Sequence, residues 1–164
     1  MSETKSEMQR RSFLVFAAGA ALLPLAACQT APLAKLPGKS AVVSASASDK
    51  VRAIRSANGL GPLTPDPALE RAAMQQAGYM ASSGRMSHST SWTRGFASRI
   101  RGNGIHGPAA ENIARGQWDI NQVFASWMAS SPHRRNLLDP RFSHFGLAYA
   151  EAGTQRYWAL VLGV

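Results

Sequence analysis

Ser130-Ser131-Pro132-His133-Arg134-Arg135-Asn136-Leu137-Leu138-Asp139-Pro140-Arg141-Phe142-Ser143-His144-Phe145-Gly146 joins two different periodicities. Upstream, Ile120, Val123, Phe124, Trp127 and Met128 recur at helical spacing behind Asp119, a candidate cap, and Pro132 helps to end that helix. Downstream, Phe145, Leu147 and Tyr149 alternate with Gly146, Ala148 and Ala150, the spacing of a strand. Gly153-Thr154 then turns the chain into Tyr157 to Gly163, predicting a hairpin. Its second strand, Trp158-Ala159-Leu160-Val161-Leu162, is apolar on both faces and is therefore expected to be central or covered by helices. The junction holds His133 and His144, two of the four histidines. Titratable side chains on a connecting segment are placed for function, whereas a lone histidine beside aromatic residues is more often a satisfied structural group.

Working back from that junction, Asp66 can cap a helix whose first position is Pro67. Leu69, Ala72, Ala73, Gln76, Ala77 and Met80 form its inward stripe, and Gly84 ends it. A shorter helix is predicted over Asp49 to Asn58 from Val51 and Ile54, with Gly59 as its stop. Ser83 to Trp92, rich in Ser, Gly and Thr and containing His88, reads as an exposed loop. A further short helix is expected over Gly95 to Arg101, before Gly102-Asn103-Gly104; Arg94, Arg99 and Arg101 read as its solvated face rather than as an anion site. Glu111 stands between alanines and Asn112-Ile113-Ala114, an apolar setting in which a carboxylate either finds a donor or takes a raised pKa. Helices first and a hairpin last predict an α+β domain with helices packed on a small antiparallel sheet.

The chain has 164 residues, 45% of them hydrophobic and 16% charged, which suits one globular domain. Residues 1–27 read as an export signal: Arg10-Arg11-Ser12-Phe13-Leu14 is twin-arginine-like, and the apolar run after it is shorter than the roughly 20 residues that span a bilayer. Leu25-Ala26-Ala27-Cys28 resembles a lipobox, which makes Cys28 the expected lipidation site and membrane anchor. It is the single cysteine, so no disulfide is expected. Residues 28–48, dominated by Ala, Ser, Pro and Lys, read as a flexible tether, leaving 49–164 as the folded domain. Gln29 rather than Asp after the cysteine favours the outer membrane over the inner, with the domain facing the periplasm. The formal net charge of +9 is compatible with nucleic acid or with anionic envelope surfaces; the export signal selects the latter, and no nucleic acid is expected. A monomer is expected.

Several segments carry a resemblance in matching order: Gly84-Arg85-Met86-Ser87-His88; Glu111-Asn112-Ile113-Ala114 followed by Gly116; Trp127-Met128 through Ser130, Pro132-His133-Arg134 and Asn136-Leu137-Leu138; Phe142, His144 and Gly146; and Tyr157-Trp158. From Lys50 to Val164 the chain resembles the CAP family of cysteine-rich secretory, antigen-five and pathogenesis-related (SCP-like) proteins, in its bacterial envelope branch. The resemblance implies an α-β-α sandwich with a cleft lined by two histidines and two acids. Here these map to His88, His133 and Glu111, with Ser130 where the second acid is expected. His144 matches a histidine of the bacterial branch, and His106 is expected near the cleft rim. His88 and His133 could hold a divalent metal such as Zn2+, with Glu111 as a further ligand or as a catalytic base. Two functions follow from the resemblance: a module that binds a lipid, a cell-wall fragment or a protein, which is favoured, and a metal-assisted hydrolase of an envelope polymer or peptide.

Overall fold

The computed structural model describes residues 38–164, so the export signal and Cys28 lie outside the described residues, as do positions 29–37 of the expected tether. The elements are β1 (Ser40–Val42), α1 (Ser44–Ser56), β2 (Thr64–Pro65), α2 (Pro67–Ser83), α3 (Phe96–Gly102), β3 (Ala109–Arg115), α4 (Ile120–Ala129), α5 (Ser131–Leu137), β4 (His144–Ala152) and β5 (Gln155–Gly163). The sheet runs β1-β4-β5-β3, with antiparallel neighbours throughout, and the two-residue β2 adds to β4 in parallel. The hairpin expected at the end of the chain is β4 and β5, and it occupies the middle of the sheet.

Because side chains alternate along a strand, β5 supplies two cores at once. Trp158, Leu160 and Leu162 point with Phe145 and Leu147 into one, closed by Ala47 and Val51 of α1, Val123, Phe124 and Trp127 of α4, and Leu137 of α5. Tyr157, Ala159 and Val161 point with Ala148 and Ala150 into the other, closed by α2 and by Ile100 of α3. The result is the α-β-α sandwich anticipated from the sequence.

The α2 caps follow the sequence: Asp66 Oδ1 accepts from the Ala68 and Leu69 amides at 2.8 and 2.9 Å, and Gly84 turns left-handed at φ 66°. Asp119 caps α4 by accepting from Gln122 N at 2.8 Å. Pro132 does end α4, since it has no N–H to give the Met128 carbonyl, and Arg134 Nη1 takes that carbonyl at 3.0 Å instead. The same proline then sits in the first turn of α5, so His133 stands on a helix rather than on a connecting loop.

The expected tether over 28–48 is corrected at its C-terminal end. Ser40–Val42 pairs with Tyr149 and its neighbours, and α1 starts at Ser44 rather than Asp49. Ser44 and Ala47 are fully buried. Small side chains that resemble a linker in composition are here the surface by which α1 approaches β4, and Ser44 Oγ accepts from Leu147 N at 2.8 Å.

A second anchor is the buried Arg55. Its guanidinium donates to the carbonyls of Gly61, Leu137, Asp139 and Phe142 at 2.7 to 3.3 Å, fixing the α5-to-β4 connection against α1.

Candidate functional site

Two consecutive residues of β3 build the site, because their side chains leave the sheet on opposite faces. Glu111 points to the α2 and α3 side. Its carboxylate is almost fully enclosed, with Oε1 at 2.8 Å from His88 Nδ1 and Oε2 at 2.5 Å from Arg99 Nη2. Asn112 points to the other side, where its Nδ2 donates to the His133 carbonyl at 3.0 Å and its Oδ1 accepts from Asn136 Nδ2 at 2.9 Å. Glu111 thus holds the His88 loop and Asn112 holds α5, and the two histidines stand on opposite lips of one cleft over the β3 edge.

The His88 loop is fixed from below. Gln76 Nε2, from the interior of α2, donates to the Ser87 carbonyl at 2.6 Å, and Arg99 Nη1 donates to the carbonyls of His88 and Arg94 at 3.3 and 3.0 Å. Arg99 is therefore not the solvated residue expected from its helix; it is 4% exposed and is the donor that the Glu111 carboxylate required. Arg94 and Arg101 do remain at the surface, Arg94 lying 4.7 Å over the Tyr79 ring.

Between the lips lies a groove of about 210 Å³ lined by Met86, Ile113, Ala114, Arg115, Gln117, Ser126, Trp127, Ser130 and His133. Ser130 brings a hydroxyl, not a carboxylate, to this wall. Burial lowers the pKa of His133 from its ordinary 6.5, and the neighbouring His88 lowers it further. His144 is separate. It begins β4 opposite Gly163, its Nδ1 lies 2.7 Å from Ser143 Oγ, and no hydrogen bond joins it to His88, Glu111 or His133. His106 is exposed in the loop before β3 and makes no hydrogen bond to the cluster. A larger, shallower groove of about 740 Å³ runs elsewhere along α5 beneath Arg134, Arg135 and Arg141.

The donor set meets only part of what a resident zinc requires. Among the described residues no three His, Cys, Asp or Glu side chains converge on one point. Glu111, the nearest carboxylate, spends both oxygens on Arg99 and His88. Catalytic zinc centres use three protein ligands, and the cleft offers two imidazoles. The Glu111 bond to His88 Nδ1 resembles the carboxylate contact that orients a ligating imidazole and leaves Nε2 free.

The lowered pKa of His133 gives a testable pH dependence. Between that lowered value and 6.5 the unfolded chain binds the proton more readily than the folded one, so stability is full above 6.5 and falls as pH drops through the window. We expect the thermal midpoint of the native chain to fall further than that of a His133→Gln variant between pH 7.5 and pH 5. Parallel melting curves would remove His133 from the account.

The family model described as the cysteine-rich secretory protein family (CAP) matches residues 49–163. The chain belongs to the CAP family. A curated relative, the uncharacterized protein YkwD of Bacillus subtilis (strain 168), is 34% identical over 101 residues, covering 61% of this chain and 39% of its own length. An extracellular protein containing an SCP domain from Bacillus anthracis superposes with TM-score 0.65 at 22% identity over 73% of this chain and 39% of that one. An outer surface protein of Borrelia burgdorferi gives 0.67 at 17% identity over 77% of this chain and 97% of that one. At these identities the structural likeness establishes the CAP fold. The chain spans about two fifths of the length of the Bacillus relatives.

Proposed function

We propose that this CAP protein is an exported, lipid-anchored component of the bacterial envelope, acting as a binding module through the cleft between His88 and His133. One observation carries the choice of binding over hydrolysis: the Glu111 carboxylate, 2% exposed, has both oxygens occupied by Arg99 and His88. A general base must reach the proton it removes, and Glu111 faces a guanidinium and an imidazole instead. The cluster reads as a rigid polar wall, and Met86 and Trp92, 52% and 99% exposed, give the His88 loop apolar tips of the kind that meet a partner.

Export is supported by the structural neighbours, an extracellular protein and an outer surface protein. The anchor at Cys28, the periplasm-facing orientation and the outer membrane follow from the sequence signals, and the domain is a monomer that does not bind nucleic acid. The ligand is a lipid, a cell-wall fragment or an envelope protein, drawn in by the exposed Arg94, Arg101, Arg115, Arg134 and Arg135. Zinc, if it binds, does so weakly through the His88 and His133 imidazoles, because two protein ligands leave most of the coordination to water.

The test is retention of purified envelope material by the native chain and by a His88→Ala/His133→Ala variant, with zinc content measured on both. We expect both forms to fold, zinc to be substoichiometric, and retention to fall in the variant. It should also weaken between about 0.1 M and about 1 M salt, where the screening length shrinks from about 10 Å to about 3 Å. Stoichiometric zinc that is lost in the variant, together with a turnover abolished by Glu111→Gln, would replace this reading with the metal-assisted hydrolase.

A further inference from the structure

We propose that the outer edge of β3 from Ile113 to Arg115 takes up an extended peptide segment as an added strand. The proposal rests on the binding reading of the cleft and names the class of ligand. It begins with the direction of the backbone groups. In an antiparallel pair, the N–H and C=O of one residue point to the same side, and successive residues alternate. The Gly116 N–H donates to the Arg156 carbonyl at 3.0 Å, so residue 116 faces β5. By alternation Ala114 and Asn112 also face β5, whereas Arg115, Ile113 and Glu111 face outward. The outward set agrees with the side-chain contacts: the Ile113 carbonyl accepts from Trp127 Nε1 at 3.1 Å, and the Glu111 carbonyl accepts weakly from Asn136 Nδ2 at 3.4 Å.

Those two contacts close the inner half of the edge. They leave the Ile113 N–H and both the N–H and C=O of Arg115 without a hydrogen-bond partner among the described residues. The open groups span about 7 Å, two residues of strand. A strand edge with free donors and acceptors is a template for another strand. Here it lies on the floor of the cleft groove, which Ile113, Ala114 and Arg115 line directly.

The rest of the lining matches a peptide. Gln117 lines the groove just beyond Arg115, and its buried Oε1 has no donor among the described residues. A peptide pairs with the open strand groups, whereas a lipid tail would leave those amides unpaired. Guest side chains opposite Ile113 and Arg115 would fall on the Met86 side, and one opposite Ala114 on the side of Trp127, Ser130 and His133. Main-chain pairing supplies affinity and the two walls supply selectivity, as in other cases of strand addition. Trp127 and Asn136 restrict the guest to a short pairing, which protects the edge from open-ended association between copies.

The test is amide hydrogen exchange of the full chain by NMR, with a pool of capped pentapeptides randomised at every position at millimolar total concentration. The same pool with N-methylated amides is the control. We expect the Ile113 and Arg115 amides to slow about tenfold. The Ala114 amide, already in the ladder, should not change, and the N-methylated pool should have no effect. Arg115→Pro should abolish the protection at Ile113, whereas Arg115→Ala, which keeps the backbone groups, should retain it. Unchanged exchange at residues 113 and 115 of the native chain, or equal protection by the N-methylated pool, overturns the proposal whatever the proline variant does. Movement of the His88 and His133 ring signals by an envelope lipid extract, with these amides unaffected, would preserve the binding module and remove the peptide.

Discussion

Arg99→Leu is expected to cost about 3–5 kcal/mol of folding free energy, because it strands the Glu111 carboxylate in the interior. Both partners are almost fully enclosed, at 3% and 2% side-chain exposure, so water cannot replace the lost guanidinium. The arginine also holds the His88 and Arg94 carbonyls, and the loop between α2 and α3 should loosen with it. Urea denaturation measures the loss. A cost below about 1 kcal/mol would mean that the pair contributes no more than a surface ion pair. The double change Arg99→Leu/Glu111→Leu separates charge burial from packing: removing both charges should recover much of the stability, since a buried pair replaced by apolar groups is often neutral. It should not recover the position of His88, whose Nδ1 keeps Glu111 in the single variant and loses it in the double one.

Gly146→Ala is expected to reach the lower end of that range, although it adds a single methyl group. A Cβ at this position would lie inside van der Waals contact of the Leu69 carbonyl and the Glu70 amide nitrogen. These are backbone atoms in the first turn of α2, and no rotamer change can move them away. That turn is further held by the Asp66 cap and by the Asp66 N–H, which donates to the Phe145 carbonyl at 3.0 Å. We expect a loss of about 3 kcal/mol, the upper range for overpacking, read as a lower midpoint in denaturant or as insoluble protein. Gly153→Ala is the comparison. It adds its methyl group to open space, so only the left-handed backbone at φ 57° should register, at about 1 kcal/mol. Similar losses at both positions would show that α2 can shift against the sheet.

The contrast between what could and could not be read in advance follows the range of the interactions. The helix α2 announces itself in local chemistry, with a capping aspartate, a proline at the first position and a glycine at the end. The hairpin β4-β5 does so through alternation and a Gly153-Thr154 turn. β3 does not, because Ala109 to Arg115 places Glu111 and Asn112 at its centre, and neither favours a strand; they are there to grip the two lips of the cleft. Arg99 was illegible for a related reason: its partner lies on another element, and an arginine on a basic helix looks solvated until that partner is placed. Ser44 and Ala47 look like linker residues because burial of small side chains leaves no apolar signature. The family motifs pointed to His88, Glu111 and His133, residues far apart in the chain that only the fold brings near one another, whereas His144, from the same motifs, belongs to the start of β4 and bonds to Ser143.

The three-residue strand β1 also decides how the domain would carry a mechanical load. Tension applied at Gly38 is taken up by the pairing of Ser40–Val42 with Ala148–Ala150, then by the Val43 N–H on the Leu147 carbonyl and by Ser44. All of these bonds fall on β4. β4 and β5 both stand between β1 and β3, so the grip of Glu111 and Asn112 on the cleft is separated from the point of pull by two strands. A domain strained from its N-terminal side would lose its first strand while the geometry around His88 and His133 stayed intact.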